Sequence, residues 1–115
     1  MSATTNLYID IPTRLSRRDR LWLGGAIFFL SANKDRFRRG GATIDLMLWI
    51  LENNTLGRFG TDIRDISSRS GLSRKTVHET MMALREGGFV SKEKDKKSGE
   101  FNYVINFDAD YQITE

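Results

Sequence analysis

The stretch SGLSRKTVHETMMALREGGF, Ser70 to Phe89, breaks a polar run with Gly-Leu-Ser and then spaces its apolar residues as a helix does. A chain that turns steeply from one helix into the next needs a residue whose backbone can go left-handed, and Gly71 does so without a Cβ penalty. Leu72 then becomes a buried pin at the turn, and the Ser73 hydroxyl caps the helix that follows. In that helix Val77, Met81 and Leu84 recur at i, i+4 and i+7 and share the core face. Lys75, His78, Glu79 and Met82 therefore point away from it. Gly87-Gly88 are the stop signal.

Reading outward, TIDLMLWILENN predicts a helix with Thr43 as N-cap and Asp45 in the first turn. Leu46, Leu48, Trp49, Ile50 and Leu51 give it a broad buried face, and it stops at Asn53-Asn54. RFGTDIRDISSRSG predicts a second helix, capped by Thr61, with Asp62 at its positive end and Ile63 and Ile66 on one side, ending at Gly71. Downstream, FVSKE and FNYVINF predict two strands joined by a polar turn holding Lys96, Lys97, Ser98 and Gly99. In the second strand Phe101, Tyr103, Ile105 and Phe107 alternate.

The small residue Ser67, the turn glycine Gly71, the apolar Leu72 and the branched Val77 stand at the offsets of a helix-turn-helix, which their pattern resembles, with serine where alanine is commoner. Followed by a basic hairpin, the order resembles a winged helix-turn-helix over residues 43–107. The run LSRKTVHETMMALREGGFV is similar to the same segment of MarR-type regulators and of plasmid and phage replication proteins with winged-helix domains. The fold class expected is mainly α with a small β-sheet (α+β), a winged helix-turn-helix carrying an N-terminal β/α extension.

The resemblance implies that a recognition helix, 73–86, enters the DNA major groove and that a wing, 91–101, lies on the backbone or minor groove. The implied reading head is Ser73, Arg74, Lys75, Thr76, His78 and Glu79. Arg74 or Lys75 suits guanine O6 and N7, Glu79 suits cytosine N4, and Ser73 or Thr76 suits phosphates. Lys92, Lys94, Lys96 and Lys97 on the wing would add sequence-independent attraction.

Residues 1–42 read as the extension. Leu7, Ile9 and Ile11 suit one face of a strand that Pro12 ends, and RLWLGG suits a second strand because Gly24-Gly25 would weaken a helix centre. AIFFLSANKDRF then suits a helix ending near Gly40-Gly41. Trp22, Phe28, Phe29 and Phe37 are more aromatic surface than a short helix buries alone. They point either to a dimerisation or partner surface or to completion of the domain's own core. Residues 108–115 form an acidic tail.

The 115 residues suit one domain, and the balance of 39% hydrophobic with 29% charged residues suits a soluble chain. A net charge of +3 favours an acidic partner mainly through its clustering, in RLSRRDR, KDRFRR, RSGLSRK and KEKDKK. With no cysteine and one histidine, His78, the chain lacks thiolate chemistry and any paired-histidine metal site of its own. No phosphate-binding loop motif occurs, and Asp62 with Asp65 read as helix-start and helix-surface acids rather than a catalytic pair. The expectation is a non-enzyme without cofactor or metal.

Arg17-Arg18 precede an apolar run somewhat as in a twin-arginine export signal. Arg20 and the acids Asp10 and Asp19 argue against that, and Leu21 to Leu30 is too short to span a bilayer. A cytoplasmic protein is expected. The first functional reading is a homodimeric transcription regulator binding double-stranded DNA. The alternative is a plasmid or phage replication-origin binder that recruits replication proteins through its N-terminal segment. A winged-helix protein adaptor is a third reading, which the lysine-rich wing disfavours.

Overall fold

Residues 15–33 and 41–108 are described by a computed structural model of the chain. The strand expected at Leu7–Ile11, the residue Phe37 and the tail beyond 108 lie outside the described residues.

The first helix, α1 (Arg17–Ala32), is the main departure from the expected elements. It runs unbroken through Gly24-Gly25, where a strand and a separate helix start were expected. Ser16 caps it, its Oγ accepting from the Asp19 amide at 3.1 Å. Two central glycines cost a helix about 1 kcal/mol each against alanine. Burial of Trp22, Leu23, Ala26 and Phe29 on the face that meets the core offsets this. Gly25 has a packing reason as well: a Cβ there would sit 3.3 Å from the Phe89 ring, so the glycine lets that ring approach the helix. Trp22 and Phe29 thus complete the core. Trp22 Nε1 donates to the Phe89 carbonyl at 3.0 Å, and both rings pack on Phe89.

Helix α2 (Gly41–Asn53) starts ahead of Thr43. Thr43 is therefore no N-cap. It is buried, with its hydroxyl 3.3 Å from that of Thr80 across the α2–α4 interface, and Asp45 falls beyond the first turn. Leu46, Ile50 and Leu51 are buried as expected, together with Met47, while Leu48 and Trp49 are partly buried. Asn54 closes the helix by donating to the Ile50 and Leu51 carbonyls and accepting from the Gly57 amide.

A short strand that the sequence pattern did not reveal, β1 (Arg58–Gly60), follows. It is entered by a tight turn in which Thr55 and Arg58 exchange both backbone hydrogen bonds, with positive φ at Leu56 (56°) and Gly57 (88°). Helix α3 (Ile63–Ser70) is capped by Asp62, one residue later than expected. Asp62 accepts from the Asp65 amide at 2.7 Å while Asp65 reaches back to accept from the Thr61 amide at 3.0 Å.

Helix α4 (Arg74–Glu86) and the strands β2 (Val90–Lys94) and β3 (Phe101–Ile105) complete the described elements. The antiparallel sheet has the order β1-β3-β2. Among the described residues, four helices and this small sheet make the mainly helical α+β architecture, compatible with a winged helix, that was expected. The core runs from Leu15 through α1, α2 and α4 to Tyr103 and Ile105, so α1 shares one core with the rest.

A candidate nucleic-acid interface

The turn between α3 and α4 has the geometry that its sequence demands. Gly71 is left-handed, with φ of 79°, and its amide bonds back to the Ser67 carbonyl. Ser67, the residue that replaces the commoner alanine, donates its hydroxyl to the Leu72 carbonyl at 2.6 Å and so braces the turn. Leu72 is only partly buried, packed at the edge of the core. Ser73 caps α4, its Oγ accepting from the Thr76 amide at 3.1 Å and lying 3.0 Å from the Thr76 hydroxyl.

This anchoring sorts the expected reading head. Val77, Met81 and Leu84 are fully buried, which turns Arg74, Lys75 and His78 into solvent on the first half of α4. Glu79 is half-buried at the border of that surface. Thr76 belongs to the opposite side: it is 9% exposed and hydrogen-bonded to the cap, so it leaves the outward set. Ser73 is exposed, with its hydroxyl engaged in capping. Two exposed residues of α4 that sequence reasoning left out of the head, Met82 and Arg85, continue the outer side toward its C-terminal end. Their positions four and seven after the outward His78 were the available signal.

Behind the head, Arg69 fixes α3 to its neighbours. It pairs with Asp65 at 3.1 Å, donates to the Phe59 carbonyl at 2.6 Å, and lies over the Trp49 ring at 5.2 Å. The same guanidinium holds the Asp65 carboxyl below its ordinary range, chiefly by hydrogen bonding. Arg69 is thus a strut between α3, β1 and α2 rather than a free cation.

The hairpin is built to hold a fixed tip. Lys94 pairs with Phe101 at its end, and beyond them the Asp95 amide donates to the Glu100 carbonyl and the Gly99 amide to the Asp95 carbonyl. The Asp95 carboxylate accepts from the Lys97 amide at 3.0 Å and the Ser98 hydroxyl at 3.2 Å. The Lys97 amide is the main cause that keeps this carboxyl below the usual range. One acid of the wing is thereby used up in shaping the turn, and Lys92, Lys94, Lys96 and Lys97 are all exposed around it. Among the described residues no acid and histidine groups are arranged to hold a metal, and no helix is long and apolar enough to cross a membrane.

No curated protein and no solved structure gives a significant match to the chain. A family model does: that of the Firmicute plasmid replication protein (RepL) matches residues 39–113, more than half of the chain and the whole span from α2 to β3. On this match the chain belongs to the RepL family of plasmid replication proteins.

Proposed function

We propose that this protein is the origin-binding component of plasmid replication, a homodimer that places α4 in the major groove of duplex DNA and its β2–β3 hairpin on the adjoining backbone. The observation that carries this reading is the exposed set Arg74, Lys75 and His78 at the start of a helix whose opposite face is locked into the core. Family membership turns the choice between the two DNA-binding readings toward an origin and away from a transcription regulator. Arg74 or Lys75 donates to guanine O6 and N7, and Glu79 accepts from cytosine N4. The wing lysines neutralise phosphates without reading sequence. The protein acts by binding, without catalysis or cofactor.

A homodimer follows from size, because one small module covers limited DNA and a two-fold pair doubles the contacts. The face for pairing is the outer side of α1, where Leu21 (63% exposed), Gly24 and Phe28 (47% exposed) follow one another at helical spacing. Retention of fragments of the replicon that encodes the protein tests the function. One fragment should be bound in preference to bulk DNA, and on a vector lacking its own origin it should support replication only when the protein is supplied. Binding confined to a promoter, with replication indifferent to the protein, would restore the regulator reading.

A further inference from the structure

Phe101 is the one large aromatic side chain that the described wing holds out to solvent, 49% exposed at the first position of β3. Its strand neighbours on the same face, Tyr103 and Ile105, are buried, so the core-facing side of the sheet runs past the edge of the core and ends in this ring. Nothing in the hairpin requires an aromatic there: the turn beyond is closed by backbone bonds and by the Asp95 carboxylate. The ring stands among cations. Lys94 is its cross-strand partner, and the Lys92 ammonium lies 5.7 Å from its centre and 5.2 Å from that of Tyr103. Lys96 and Lys97 follow in the turn.

An apolar blade flanked by phosphate-binding charges is the combination with which proteins enter the minor groove and prise stacked base pairs apart. Resting on the DNA-binding reading above, we propose that Phe101 is a wedge: when the wing lies on duplex DNA, its ring inserts at a base step in the minor groove beside the α4 site. Lys92 and Lys94 hold the phosphates on either side. The adjoining Lys92 and Lys94 select DNA as the occupant over an apolar protein surface, against which they would carry a desolvation cost. The cation–ring contact between Lys92 and Phe101 keeps blade and anchor together as one unit. A step opened in this way is a local distortion of the duplex at the site where replication has to begin unpairing it.

The test uses the full-length protein and a duplex selected by it from a random pool, with 2-aminopurine placed in turn at each position beside the α4 footprint. Unstacking raises the fluorescence of that base. The parent should raise it severalfold at one or two adjacent positions. Phe101→Ala should bind the same duplex within a few fold and lose the signal, and Phe101→Trp should keep it. Because the ring is exposed, an unchanged melting temperature should accompany the loss.

A parent that binds without any unstacking, or an alanine variant that unstacks as the parent does, overturns the wedge and leaves the DNA-binding reading standing. Failure of the selection to yield any retained duplex overturns both, and is recognised before the fluorescence step. If Phe101→Ala instead lowers the oligomeric mass in solution with unstacking intact, the ring is a protein contact and the proposal fails.

Discussion

Helices α1 and α4 each bury one face in the same core, yet the outer side of the middle of α1 and that of the start of α4 have opposite chemistry. On α4 the buried stripe of Val77, Met81 and Leu84 is backed by Arg74, Lys75 and His78, charged or polar and early in the helix. On α1, beyond the exposed Arg17, Arg18 and Arg20 of its start, the stripe of Trp22, Leu23, Ala26 and Phe29 is backed by Leu21, Gly24 and Phe28, apolar or bare. Charge facing water is stable in the monomer and awaits a polyanion. Apolar surface facing water at adjoining helical positions is a mark of association with protein. Core packing fixes where each helix points, and the residues left outside decide what each side of the domain meets.

The largest expected effect breaks or confirms the shared core. Trp22→Ala removes a ring that is almost wholly buried together with its hydrogen bond to the Phe89 carbonyl, and should destabilise the protein by about 3–5 kcal/mol in denaturant melts. A loss within experimental error would mean that α1 only rests on the domain, and the comparison with α4 would lose its footing.

Next in size is the turn that aims α4. Gly71→Val should cost about 1–2 kcal/mol, since a side chain in the left-handed region is strained there. The cost is backbone strain alone, because a Cβ at Gly71 meets nothing within 4 Å. Parental melting would show that the residue does not hold its positive φ in solution. On the α1 side, Leu21→Ser with Phe28→Ser should lower the mass seen by sedimentation and leave the melting of a dilute sample nearly unchanged. A monomeric parent would remove the dimer.

The same comparison explains what was legible in the sequence. The α3–α4 hand-over could be read because Gly71, Ser73 and the Val77, Met81, Leu84 stripe act through local rules of backbone and period. Helix α1 could not, because two glycines argue locally against a helix and only the approach of the distant Phe89 ring explains why one of them, Gly25, is tolerated. Strand β1 was hidden for a related reason: of the two positive-φ positions in its turn, the first is Leu56 rather than glycine or asparagine, so only Gly57 of the usual turn signature is present. Thr43 was misassigned by type: threonine suits caps, but this one is buried beside Thr80 of α4, while Thr76 is buried and engaged by the Ser73 cap. The outward Arg74, Lys75 and His78 followed from the helical period once Val77 was inside.

The wing sharpens the contrast by a smaller effect. Replacing Lys96 and Lys97 with alanine should weaken binding to all duplexes alike, and each lost phosphate contact should flatten the slope of log K against log[salt] by about 0.9. An unchanged slope across several salt concentrations would make these lysines solubilising surface.

The central claim, that the outer face of α4 reads bases while the wing lysines only hold the backbone, is tested most directly by one ratio: affinity for the selected duplex over affinity for an unrelated duplex of equal length, at fixed salt. In Arg74→Ala or Lys75→Ala that ratio should fall, by the equivalent of about 1–3 kcal/mol for a lost base contact, with melting unchanged. In the Lys96, Lys97 double variant it should hold. Parental ratios in both α4 variants, or a collapse in the wing variant instead, would contradict the account.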